Sequence, residues 1–149
     1  MRRVVVVESD FLFGLSARDR LHPYVVRVLE LHRRGVVSVV VAGAAPLEVA
    51  LVLLSRGFGL DVVSRVLELM RSKLAEYGAS RFASIDCSTV AEALRLRASY
   101  PQLTFFDSIH VATAKVSGYT LVTSDGVLQQ VARSIGVDCV ELRELAEQR

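Results

Sequence analysis

Asparagine is absent from the 149 residues, and lysine supplies only two of the eighteen basic side chains, Lys73 and Lys115; the rest are arginine. So little heat-labile amide points to a thermophilic source, which says nothing about activity. Cysteine occurs twice, as Cys87 and Cys139, without metal-ligand spacing. Both fall in apolar runs read as strands (Ala83–Cys87 and Val137–Val140), where a thiol packs as a small hydrophobe. A charge excess is also missing: 18 basic against 16 acidic residues leave +2. That excludes a polyelectrolyte tail, and it gives no sign of the basic excess that many-phosphate binding brings. Tyr24, Tyr77, Tyr100 and Tyr119 are scattered, so no aromatic platform for stacking bases stands out. No linker, repeat or low-complexity tract breaks the chain, and one domain over residues 1–149 is expected.

Charge is nearly missing from one stretch. Between Gly35 and Ser55, 21 residues, Glu48 is the one charged side chain. That length can cross a bilayer. Pro46 interrupts it, however, and a carboxylate at a membrane helix centre costs roughly 2.5–3.5 kcal/mol. A buried strand followed by a buried helix is the better reading. Met1-Arg2-Arg3 looks like the start of a signal peptide, but only four valines precede Glu8, too few for the apolar segment such a signal needs. A cytoplasmic protein with no membrane partner is expected.

What is present is an alternation of short Val- and Ile-rich runs with segments of helical period, the mark of βαβ units. Val4–Val7 reads as the first strand. Ser16-Ala17-Arg18-Asp19 has capping-box spacing and opens a helix to about Arg34, stopped by Gly35. Val36–Val41 is either a strand or a short extended arm. Pro46 opens a helix to Arg56, and Leu60–Tyr77 carries an i, i+3/i+4 apolar stripe. After the run Ala83–Cys87, Ser88 caps a helix to Tyr100. Phe106–Val116 is helical, Tyr119–Thr123 a strand, Gly126–Ile135 a helix, Val137–Val140 a strand, and Glu141–Arg149 a terminal helix. The fold class is therefore α/β, with a central parallel sheet flanked by helices on both faces.

In such sheets ligands gather beyond the carboxyl ends of the strands. The polar residues expected there are Glu8 and Asp10 after the first strand, Glu48 and Asp107 in first turns of helices, and Thr123-Ser124-Asp125 after the Tyr119–Thr123 strand. Every charged group among them is a carboxylate. A lone acid in a first turn is ordinarily a capping residue. Glu48 and Asp107, though, sit among apolar neighbours, and a buried carboxylate needs a partner. Converging acids repel one another, and a divalent cation resolves both problems; oxygen-only ligands favour Mg²⁺ or Mn²⁺ over Zn²⁺. Such a site suits phosphodiester hydrolysis, because a metal polarises the phosphoryl oxygen and acidifies bound water. Arg18, Arg20, Arg56 and Lys115 are candidates to hold phosphates on a basic rim. His110, one turn after Asp107, either orients that carboxylate or is a helix-face residue without a role. His22 and His32 read as surface residues.

These residues resemble the PIN-domain ribonucleases, including the VapC-type toxins of toxin–antitoxin pairs, over nearly the whole chain. Val4–Phe13 is similar to the family's opening strand and its first acidic motif, and Ala44–Val49 to the helix start bearing the second acid. Phe106–Ala114 is similar to the third motif, and Leu121–Asp125 to the fourth. The resemblance implies that Glu48, Asp107 and Asp125 bind metal, with Thr123 supplying the hydroxyl of the last motif and Ser124 beside it. The first motif departs from the pattern: Glu8, one methylene longer, stands for the opening Asp. Asp10 falls where the family has Asn, Asp or Ser. Either Glu8 or Asp10 then fills the first metal position, or the site is weakened. The resemblance also implies one or two Mg²⁺ or Mn²⁺ ions, an RNA substrate, a homodimer, and, for a toxin, an antitoxin that blocks the acidic groove.

Two other readings stay open. Glu8-Ser9-Asp10 imitates the Asp-x-Asp pair of haloacid-dehalogenase-like phosphatases, but Glu8 misplaces their nucleophile. A PIN-like domain kept as an RNA- or protein-binding module is the non-enzymatic alternative.

Overall fold

The computed structural model describes residues 2–149; Met1, the first residue of the basic start considered above, lies outside them. Four strands form one sheet in the order β2-β1-β3-β4 among the described residues. They are β1 (Arg3–Val7), β2 (Val37–Val41), β3 (Thr120–Thr123) and β4 (Cys139–Glu141). All pairings are parallel, with Val7 opposite both Val41 and Val122. Val5, Val6 and Val7 are wholly buried, as a central parallel strand covered on both faces requires. This is the α/β sandwich that the alternating pattern implies.

The helices are α1 (Ser9–Phe13), α2 (His22–Arg33), α3 (Ala45–Ser55), α4 (Leu60–Glu76), α5 (Cys87–Ser99), α6 (Phe105–Ser117), α7 (Gly126–Ser134) and α8 (Leu142–Ala146). The low-charge run Gly35–Ser55 resolves into β2 and α3. No helix among the described residues is long and apolar enough to cross a membrane.

Five local readings change. Ala83–Cys87 is not a strand: pairing there shrinks to one bridge from Phe82 to Val41, flanked by Val41 N–H to the Arg81 carbonyl and Ala83 N–H to the Val41 carbonyl. Asp86 then ends the extended segment by accepting the Thr89 N–H at 2.9 Å, so α5 starts at Cys87 and Ser88 is not its cap. Cys87 is consequently exposed, whereas Cys139 is buried in β4, where burial pushes its thiol up to about 11. Ser16–Asp19 forms turns rather than a capping box; Asp19 accepts the Leu21 N–H at 2.8 Å, and α2 begins at His22. Finally, His22 and His32 are half-buried and bonded, the first to the Gly14 carbonyl and the second to the Val39 N–H.

The order β2-β1-β3-β4 sends the chain to opposite sides from the gap between β1 and β3. That gap is the topological switch point, and the crevice outside it is where open α/β sheets bind ligands. Glu8 leaves β1 there, and Thr123 ends β3 beside it.

Candidate functional site

Two adjacent strand ends and two helix starts build one pocket of about 300 Å³, lined by Glu8, Ser9, Asp10, Phe13, Arg20, Glu48, Asp107, Ser124 and Asp125. All five acids singled out in the sequence thus meet, although they span more than a hundred residues of chain.

Glu8 caps the short α1 by accepting the Asp10 N–H at 3.1 Å, and the Thr123 hydroxyl lies 3.5 Å from the same oxygen. Asp10 is tied to the other strand: its Oδ2 accepts the Ser124 N–H at 2.7 Å and the Ser124 hydroxyl at 2.5 Å. Glu48 enters from the first turn of α3, which Ala44 starts without a side-chain cap. Its Oε1 accepts from the Ser9 hydroxyl at 2.6 Å and lies 2.7 Å from His110 Nε2. Asp107 completes a capping box with Thr104 at the head of α6. Asp125 caps α7 by accepting the Val127 and Leu128 N–H groups, and its own N–H bonds the Thr123 hydroxyl at 3.1 Å. Asp107 and Asp125 are therefore capping residues that also face the pocket.

Burial raises the Glu8 carboxyl well above the ordinary value, and Asp10 and Glu48 push in the same direction. Burial opposes ionisation of Glu48 too, but the hydrogen bonds from His110 and Ser9 outweigh it and hold that carboxyl below its usual value. The two acids thus have opposite pH linkage. Glu8 adds stability that is complete below the ordinary carboxylate range and lost as pH rises through its raised folded value. Glu48 adds stability that is present above that range and lost as pH falls through its depressed one. Glu8→Gln should therefore stabilise the protein in EDTA at neutral pH and flatten the decline in Tm between mildly acidic and neutral conditions. Thermal unfolding against pH checks this, and a variant with the wild-type slope would refute it.

Asp10 Oδ1 is buried without a hydrogen-bond partner. An acceptor-only oxygen orphaned beside four further carboxylates is the chemistry that a divalent cation satisfies, so the residues present fit Mg²⁺ or Mn²⁺. Glu8, Glu48 and His110 also bring ligand-type atoms within 4.8 Å of one another.

The basic candidates divide. Arg20 lines the pocket. Arg56 lies with its guanidinium 5.8 Å from the ring centre of Phe13, itself a lining residue. Arg18 is exposed in the turn before α2 and is not part of the lining. Lys115 is far from the acids: it sits in the last turn of α6 and pairs with Glu92 of α5. Eight residues of helix separate it from Asp107, a rise of about 12 Å. One polar residue of the site, Ser9, carries no signal of its own in the sequence, where it stands between the first-motif acids. His110, expected either to orient Asp107 or to have no role, reaches Glu48 instead.

Sequence comparison with curated proteins finds no match. Solved structures of similar fold include PAE2754 from Pyrobaculum aerophilum, at 22% identity and TM-score 0.61, covering 99% of this chain and 100% of that one. FitAB bound to an IR36 DNA fragment matches at 18% identity and TM-score 0.65, over 93% of this chain and 95% of the other. VapBC2 from Rickettsia felis, bound to a DNA fragment from its promoter, matches at 12% identity and TM-score 0.66, over 93% and 98%. At these identities the likeness is one of fold. The sequence profile of the PIN domain matches residues 5–134, and with four acidic motifs converging at the switch point of its sheet, the chain belongs to the PIN domain family.

Proposed function

We propose that the protein is a Mg²⁺- or Mn²⁺-dependent endoribonuclease, the toxin of a toxin–antitoxin pair. The observation that carries this is the acidic pocket with the orphaned Asp10 oxygen. Glu8, Asp10, Glu48, Asp107 and Asp125 are the residues that would hold one or two ions. When bound, the metal supplies Lewis-acid polarisation of a phosphoryl oxygen and acidification of bound water. The chain's own groups do the rest. Arg20 and Arg56 offer positive charge at the rim to a polyanion that the carboxylates alone would repel. Thr123 and Ser124 tie Glu8 and Asp10 to the end of the second strand, and the Thr123 hydroxyl also accepts the Asp125 N–H within the following turn.

The partners follow from a different surface. Leu47, Leu51, Phe58, Leu60 and Leu69 on and between α3 and α4 are large, apolar and exposed. Apolar surface of that kind marks protein interaction sites, and it supports an antitoxin segment or a second copy of the chain as partner. The DNA-bound FitAB and VapBC2 assemblies support the same reading.

The test is cleavage of mixed RNA with Mn²⁺, Mg²⁺ or EDTA, beside Asp10→Asn and a phosphomonoester control. Asn keeps an oxygen for the Ser124 donors and turns an amide into the pocket. Cleavage should need metal and fall at least about 10²-fold in the variant, since even groups one step removed from a metal cost 10–100-fold. RNA binding without cleavage would replace the nuclease reading with that of a binding module, which the Glu8 departure would then explain. Turnover of the phosphomonoester alone would favour the phosphatase.

A further inference from the structure

His110 is fully buried in α6, and a leucine there would fill the same space without a stranded nitrogen. Its Nδ1 has no hydrogen-bond partner. Among the described residues, the ring's polar contact is Glu48 Oε1, 2.7 Å from Nε2 and 62 residues away in sequence. A carboxylate oxygen offers lone pairs and no proton, so Nε2 is the donor. Ser9 donates to the same oxygen at 2.6 Å; its single hydroxyl proton leaves the 3.4 Å approach to Glu8 the weaker contact. Two donors from α1 and α6 therefore grip one oxygen of an acid that rides on α3.

We propose that His110 is a positioning residue, which by gripping Glu48 Oε1 presents the other oxygen, Oε2, to a divalent cation in the acidic pocket. The proposal rests on the metal-dependent reading above. Three rotatable bonds separate the Glu48 carboxylate from its backbone, and a site that holds metal tightly needs that freedom removed beforehand. Partners of this kind, which orient a ligand without touching the metal, typically govern 10–100-fold of metal affinity. His110 is not itself a ligand. Nε2 spends its proton-bearing position on Glu48, and Nδ1 is buried without a hydrogen-bond partner.

Mn²⁺ titration calorimetry on the wild type, His110→Leu and His110→Gln tests this, with unfolding in EDTA recorded for each. Leu removes the donor at similar volume and should weaken Mn²⁺ binding about 10–100-fold. Gln carries an amide N–H to the same oxygen and should restore most of the loss. A residue that merely fills the α3–α6 interface would instead change Tm and leave the affinity of the folded protein alone. Wild-type affinity in folded His110→Leu, or equal loss in Leu and Gln, would overturn the proposal while leaving the metal reading intact. A wild type that binds no Mn²⁺ would overturn both. The ¹⁵N spectrum of the imidazole in the wild type needs neither metal nor variant. A proton on Nε2 is expected, and one on Nδ1 alone would overturn the proposal.

Discussion

Glu48→Gln should reduce Mn²⁺ affinity and metal-dependent RNA cleavage by at least about 100-fold while leaving the protein folded. The substitution changes one atom and one charge. An amide has a single oxygen, and two donors, the Ser9 hydroxyl and the His110 Nε2–H, already converge on Oε1 at 2.6 and 2.7 Å. They will capture that oxygen, since turning the NH₂ toward them would set donor against donor. The amide nitrogen is then left to face the pocket, where a cation finds two N–H groups instead of a lone pair. A 100-fold loss corresponds to about 2.7 kcal/mol, at 1.36 kcal/mol per tenfold. Stability should suffer less: two charge-assisted hydrogen bonds become neutral ones, a change on the order of 1–2 kcal/mol. Calorimetry with Mn²⁺ and a cleavage assay measure the first effect, and circular dichroism with thermal unfolding measures the second. Near-wild-type metal affinity in folded Glu48→Gln would show that this acid is a structural residue of the α1–α3 contact.

The contrast with Asp107 and Asp125 explains why Glu48 is the more telling position. Those two acids spend oxygens on backbone N–H groups at the heads of α6 and α7. Their substitution removes a helix cap as well as a ligand, so lost activity could follow from either cause. Glu48 caps nothing. Its polar contacts run to Ser9 and His110, and its loss reports on the pocket.

A feature of this fold is legible in the sequence where the information that sets it is local. Val4–Val7 and Tyr119–Thr123 declare themselves because a central parallel strand is buried on both faces and reads as a mainly apolar run. The acids follow from them, since what comes directly after such a strand lies at the ligand-binding edge of the sheet. Phe106–Val116 is legible from its apolar period, whereas the capping box that Thr104 makes with Asp107 is a finding of the structure. Ala83–Cys87 misled because Ile85 and its neighbours have strand character, whereas pairing is decided by whether β2 extends far enough to receive them. Among the described residues, the one bridge there is made by Phe82. The short α1 has too few residues to show a period at all. The His110–Glu48 contact was out of reach for a different reason. It joins residues 62 apart, and depends on how α3 packs against α6. Lys115 was misplaced by the same ignorance of direction, since nothing in a sequence shows which end of a helix lies over the site until its strand is placed.

Gly43→Ala should cost about 3 kcal/mol, more than a surface turn ordinarily would, because overpacking a closed contact costs 1–3 kcal/mol and occasionally more. Gly43 lies in the turn between β2 and α3. A Cβ there would stand 2.1 Å from the Ala83 carbonyl oxygen and 3.1 Å from the Ile85 side chain. The first obstacle is backbone, and that backbone is held in place: the Val41 N–H donates to the Arg81 carbonyl on one side, and the Val41 carbonyl accepts from the Ala83 N–H on the other. Relief requires either that the 81–85 segment retreat and break those bonds, or that Gly43 shift and carry the start of α3 with it. For a domain near 150 residues each kcal/mol moves Tm by about 2–4 °C, so a fall of roughly 6–12 °C is expected. The second route would also displace Glu48, five residues on, and weaken Mn²⁺ binding in the molecules that remain folded. Gly126→Ala is the matched control. Its Cβ would meet nothing within 4 Å at a backbone angle any residue adopts, and a compatible Gly→Ala change stabilises by about 0.4–1 kcal/mol. Equal melting temperatures for the two variants would mean that β2 and the 81–85 segment do not approach as closely as the turn at Gly43 implies. A drop confined to Gly43→Ala, accompanied by weaker metal binding, would tie the placement of Glu48 to a single missing methyl group.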